Sequence, residues 1–109
     1  MSWLEVGRVE DVPLYEGRRV TVNGHRIAVF RTDDGVHAVS ADCPHEGGPL
    51  QDGLVADSCV TCPLHGWRFD LRNGASLAGG TNGLTVYEIA ERDGALLLCM
   101  PAGELDRAA

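Results

Sequence analysis

The sequence has no apolar run of membrane-spanning length, no basic stripe and no sustained 3.6-residue apolar repeat. Each absence excludes a class of protein. A helix that crosses a bilayer needs ~20 mostly apolar residues, and the longest apolar run here, Ala95 to Met100, has the length of a strand. Nucleic acids and anionic membranes select clustered Lys and Arg. Here Arg18-Arg19 is the one adjacent basic pair, the formal net charge is -7 and the pI is about 4.8. No nucleic-acid or membrane partner is expected. A basic docking face on a protein partner fits better, because charge complementarity speeds encounter. The first residues, MSWLEVGRVEDVP, carry acids early and no apolar core segment, unlike a secretory leader. The expected location is cytoplasmic, where structural disulfides are rare and clustered cysteines more often bind metal or react.

What is present is turn chemistry. A chain of 109 residues is expected to form one domain, 1–109, with a small core that a structural metal would help to hold. Hydrophobic residues make up 44% and charged residues 23%, which is a globular rather than a disordered balance. Half of the 14 glycines fall in turn pairs, among them Asn23-Gly24, Asp34-Gly35 and Asp93-Gly94. Arg19 to Val22 and Arg26 to Phe30 alternate on either side of Asn23-Gly24, and Val36 to Val39 continues the meander. Leu84 to Ala90 and Ala95 to Met100 flank Asp93-Gly94 as a second hairpin, while Glu10 to Tyr15 has room for one short turn. Short strands at even spacing predict an all-β fold of stacked antiparallel sheets, sandwich-like or barrel-like. The stretch from about 42 to 71 breaks this rhythm and reads as loops inserted between two strand-rich halves.

That stretch holds the chemistry. Cys43-x-His45 is followed, after sixteen residues, by Cys62-x-x-His65. Each half supplies one thiol and one imidazole. Each is stiffened by a proline after the cysteine and followed by glycine, which suits two rigid loops facing a small inorganic centre. Three chemistries compete. Tetrahedral zinc accepts two cysteines and two histidines, but its usual knuckles are not mixed and its histidines usually sit on a helix. A Cys/His nucleophilic pair would leave the second Cys-x-x-His unexplained. A two-iron, two-sulfide centre would take both thiolates on one iron and both imidazoles on the other.

The segments CPHEGGPL and CPLHGWRFD resemble the Rieske signature, in ligand spacing, intervening length and the flanking Gly66-Trp67-Arg68-Phe69-Asp70. The resemblance implies one Rieske-type 2Fe-2S cluster, with Cys43 and Cys62 on one iron and His45 and His65 on the other through Nδ1. It also implies a cluster-binding subdomain at about 42–71 within stacked antiparallel sheets. Such a centre is formally uncharged when oxidised and singly negative when reduced, so it takes an electron more easily than an all-cysteine cluster. Respiratory members of the family carry a disulfide beside the ligand loops. Gly48 and Leu64 stand in those places here, and no serine or tyrosine hydroxyl has an evident counterpart there. A potential at the low end of the family range, about -150 mV, is expected.

The resemblance implies an electron carrier that turns nothing over alone. Oxygenase chemistry needs a mononuclear iron held by two histidines and a carboxylate, and only His25 and His37 are left to hold one. The expected role is the small subunit or ferredoxin component of an NAD(P)H-dependent nitrite reductase-like oxidoreductase. The partners would be an NAD(P)H-dependent reductase and a terminal reductase or oxygenase. The run Ala78-Gly79-Gly80, where many dioxygenase ferredoxins are proline-rich, favours this group. The alternatives are the ferredoxin of a ring-hydroxylating dioxygenase and a structural metal-binding module. Among the other residues, Ser58 to Thr61 read as a strand leading into the second ligand loop, with Cys59 as core; Cys99 reads as core, His25 as an exposed turn residue and His37 as structural. Phe69 is expected beneath the cluster, Trp3 in core or edge packing, and Pro49 shielding the cluster. Glu46, which adjoins His45, reads first as one of the acids of a solvated face, with steering a partner or lowering the potential as the alternative role.

Overall fold

The computed structural model describes residues 2–43, 49–64, 66–78 and 83–100. Ten strands follow one another: β1 (Ser2–Arg8), β2 (Gly17–Val22), β3 (His25–Thr32), β4 (Gly35–Ser40), β5 (Leu54–Ala56), β6 (Cys59–Thr61), β7 (Arg68–Asp70), β8 (Ser76–Ala78), β9 (Val86–Arg92) and β10 (Ala95–Met100). Two single-turn 3-10 segments, Val9–Asp11 and Leu50–Asp52, interrupt them. The strands form two antiparallel sheets. A six-stranded sheet runs in the order β1-β10-β9-β4-β3-β2 and a four-stranded sheet in the order β5-β6-β7-β8.

The turn pairs set the register. Asn23 and Gly24 both have positive φ, 52° and 83°, as do Asp93 and Gly94, 53° and 82°. This is the backbone twist that a two-residue hairpin loop requires. Val22 therefore pairs His25, and Ala95 pairs Arg92. The three predicted hairpin strands and the C-terminal hairpin stand where the alternation put them, and the chain is all-β as expected.

Strand β3 is the wall between the two cores. Ile27, Ala28, Val29 and Phe30 are all essentially inaccessible. Alternate side chains leave a strand on opposite faces. Ile27 and Val29 enter the core of the large sheet with Ala38, Leu96, Leu98 and Met100. Ala28 and Phe30 enter a second core with Val39, Leu50, Val60, Phe69 and Leu71, where the small sheet packs. A strand covered on both sides reads as a continuous apolar run instead of an alternation.

The small sheet departs from the expectation of inserted loops. Residues 54–78 hold four strands of three residues each, and the sheet reaches Ala78, beyond Leu71. Three residues give at most one alternation, too little for a periodic signal. Its tightness depends on Gly53, where an added Cβ would fall onto the Thr61 carbonyl oxygen. Trp3 packs, half exposed, on the edge strand β1, as expected. Two other expectations shift: His25 is half-buried on β3 rather than exposed at the turn, and Cys59 is half-buried rather than core.

Candidate metal centre

The two cysteines of the motif arrive at one place from two elements. Cys43 follows β4 through Ala41 and Asp42. Cys62 follows β6 directly. Both thiols are buried, at 3% and 2% exposure, in the core formed with Leu50, Val60, Phe69 and Leu71, against which Trp67 also packs. They are free thiols that share one buried cluster. Burial pushes the Cys62 thiol up, the neighbouring Cys43 adds to the rise, and a backbone hydrogen bond from Leu64 opposes it. A thiolate in such surroundings is costly unless a cation sits beside it. Two adjacent buried thiols with a backbone donor already aimed at one of them therefore fit a soft, thiolate-binding metal centre.

The loops that would carry the other ligands are closed at their roots. Asp42 and Pro49 form an isolated antiparallel bridge, and the Leu50 N–H donates to the Ala41 carbonyl at 2.9 Å. The second loop is closed by the Cys62 N–H donating to the Trp67 carbonyl at 2.7 Å, with Gly66 at a φ of 73°. His45 and His65, with Pro44, Glu46, Gly47 and Gly48, lie outside the described residues, as do Gly79 and Gly80. Among the described residues no group of three or more His, Cys, Asp or Glu could hold a metal ion. The two motif cysteines make a pair, not a set of three.

Cys59 is not part of that pair. Within β6, Val60 is buried whereas Cys59 and Thr61 are half-buried, and side chains two apart share a face. Cys59 lines a shallow groove with Leu54, Ala56, Thr61 and Arg68 on the outer face of the small sheet. Cys59-x-x-Cys62 is therefore split across a strand and is no dithiol. Phe69 is wholly buried beneath the thiols as expected, Cys99 is core, and His37 is structural. Pro49 is exposed at the root of the first loop.

Two polar contacts escaped sequence reasoning. The Arg26 guanidinium donates twice to Asp42 Oδ2, at 2.9 Å from Nε and 2.6 Å from Nη2. Asp34, in the β3–β4 turn, accepts from Thr32 Oγ1, lies 2.9 Å from His37 Nε2, and accepts from Ser58 Oγ at 2.8 Å. These donors hold the Asp34 carboxyl well below the usual carboxylate range, with Thr32 and then His37 the largest causes. Ser58 belongs to the β5–β6 turn, so this contact ties the small sheet to the large one. No local pattern announces either contact, since their partners are 16 and 24 residues apart.

An all-β chain of two packed antiparallel sheets, with two buried free thiols brought together at the roots of two loops, has the makings of a small β-protein with a thiolate-ligated centre. Residues 2–88 match the family described as "Rieske [2Fe-2S] domain", and the chain belongs to that family. Its cofactor is accordingly one Rieske-type 2Fe-2S cluster. The chain is 36% identical over 94 residues to the anthranilate 1,2-dioxygenase ferredoxin subunit of Burkholderia cepacia, covering 85% of this chain and 87% of that protein. It is 35% identical over 75 residues to cholesterol 7-desaturase nvd of Hemicentrotus pulcherrimus, matching 67% of this chain. It spans only 16% of that desaturase and 15% of the one from Ciona intestinalis. Among solved structures, a candidate NADH-dependent nitrite reductase small subunit from Mycobacterium tuberculosis superposes with a TM-score of 0.84 at 27% identity, covering 93% of this chain and 96% of that one. Among the described residues no helix is long and apolar enough to cross a membrane.

Proposed function

We propose that this chain is a one-electron carrier, the small subunit or ferredoxin component of an NAD(P)H-dependent nitrite reductase-like oxidoreductase of the cytoplasm. Cys43 and Cys62 hold one iron and His45 and His65 the other, in one domain spanning 1–109 whose cluster-binding part is the loops and small sheet from about 42 onward. The observation that carries the reading is the meeting of Cys43 and Cys62 as free thiols in one buried cluster. When bound, the cluster accepts and releases a single electron. Around it, Leu50, Val60, Phe69 and Leu71 exclude water from the sulfur side. The Leu64 backbone donor favours the anionic form of Cys62.

The likeness to the nitrite reductase small subunit, over nearly the full length of both chains, supports the choice of partner. A second reading, the ferredoxin of a ring-hydroxylating dioxygenase, is supported by the anthranilate dioxygenase ferredoxin, which matches over most of both chains. The two readings share the electron-transfer step and differ in what receives the electron. The test is an EPR spectrum of dithionite-reduced protein purified without air, with metal analysis of the same sample. A rhombic signal of average g near ~1.9, below that of all-cysteine clusters, is expected from mixed His/Cys ligation. Stoichiometric zinc with no signal would overturn the carrier reading in favour of a structural metal-binding module. Given the signal, electron delivery to a nitrite reductase large subunit or to a dioxygenase oxygenase component separates the two partner classes.

A further inference from the structure

The root of the first ligand loop is held by backbone on one side and by one side-chain ion pair on the other. Ala41 N–H donates to the Arg26 carbonyl at 3.0 Å, extending the β3–β4 ladder by one step past Ile27 and Ser40. The chain then passes through Asp42 into Cys43 and returns at Pro49 and Leu50, bridged to Asp42 and Ala41. The main-chain contacts fix Ala41 and Leu50, both fully buried. Asp42, the residue joined directly to Cys43, is half-exposed, and among the described residues its side chain is held by the Arg26 guanidinium, which donates twice to Oδ2.

We propose that Arg26 is a positioning residue for the metal centre, setting the placement of Cys43 by gripping Asp42. The inference rests on the electron-carrier reading for its redox consequence and on geometry alone for its structural one. Two N–H donors of one rigid, planar guanidinium converging on one oxygen constrain direction as well as distance, which a freely rotating ammonium does less well. Pulling on Asp42 acts one residue from Cys43, whose side chain shares a buried cluster with Cys62 on the sulfur side of the site. The pair also keeps the root of the loop electrically neutral. Each partner alone would place an uncompensated charge beside the centre, and the two charges act in opposite senses on a cluster that gains one negative charge on reduction.

Four variants test this: Arg26→Gln, Asp42→Asn, the double variant and Arg26→Lys. In metal-free protein, hydrogen exchange at the Leu50 amide reads the hold on the loop root without any cluster. The exchange rate should rise roughly two- to fivefold in the first three, the worth of an exposed but well-formed ion pair, and Arg26→Lys should recover only part of it. In loaded protein, Arg26→Gln should lower the reduction potential, Asp42→Asn should raise it, and the double variant should return towards the parent. The single shifts should shrink at high salt, since both groups are partly exposed. An unchanged Leu50 exchange rate in Arg26→Gln, or potentials that move the same way in both single variants, would overturn the proposal. A parent protein with no mixed-ligand EPR signal but with the exchange result intact would sink the carrier reading and leave the grip of Arg26 standing.

Discussion

At the scale of single residues, the side chains that hold this molecule together are not those that its motif advertises. Asp34 sits in a predicted turn and collects contacts from Thr32, His37 and Ser58. Its folded carboxyl titrates below the unfolded value, chiefly because of Thr32 and His37. The contribution is therefore present above the ordinary carboxylate range and is lost as pH falls through the folded pKa. Because Asp34 is solvent-facing, screening keeps the effect modest. Asp34→Asn should flatten the acid limb of a plot of urea midpoint against pH between about 5 and 2, while lowering the midpoint near neutrality. Parallel curves for parent and variant would show that the contacts carry no pH-linked stability. The motif residues were legible because metal chemistry fixes their type and spacing. Asp34 and Arg26 were not, because a carboxylate or guanidinium in a turn or strand looks the same in sequence whether or not its partner lies across the fold.

At the scale of elements, legibility followed length and the side of the sheet. Strands β2, β3, β4, β9 and β10 have six to eight residues and end on turn pairs whose backbone demands are known, so they could be placed from sequence. The four strands of the small sheet have three residues each, and apart from β6, which reads as a strand leading into the second ligand loop, they declare themselves only through packing. Val60 and Phe69, opposite each other across β6 and β7, are the inward pair that makes this sheet a lid on β3. Cys59 shows the same limit from the other side. It reads as core in sequence, whereas strand alternation turns it to the half-buried outer face. The weak point of the small sheet is Gly53, packed against the Thr61 carbonyl, Val60 and the Leu50 carbonyl. Gly53→Ala should cost ~1–3 kcal/mol by overpacking and should reduce iron and sulfide content, because the displaced Thr61 adjoins Cys62. A variant with parental thermal midpoint and full metal content would mean that the backbone there yields without strain.

At the scale of the whole molecule, charge sets what can approach. The formal net charge is -7, and exposed acids such as Glu5, Asp33, Asp52, Glu88 and Glu91 are spread over the surface around both sheets. A carrier must meet its partner, transfer and leave, so long-range attraction acts on the encounter rate more than on the lifetime of the complex. An acidic carrier is drawn to a basic face, and the attraction fades once the Debye length, about 8 Å at 0.15 M ionic strength, falls below the separation of the surfaces. Electron delivery from the reduced protein to a lysine-rich acceptor such as cytochrome c should therefore slow as salt rises, by tenfold or more from low to physiological ionic strength if steering is strong. Delivery to ferricyanide, an anion, should instead speed up, because salt screens a repulsion. Opposite slopes for the two acceptors would assign the dependence to the surface field. A common slope would assign it to the centre itself, and the acidic surface would then serve solubility rather than recognition.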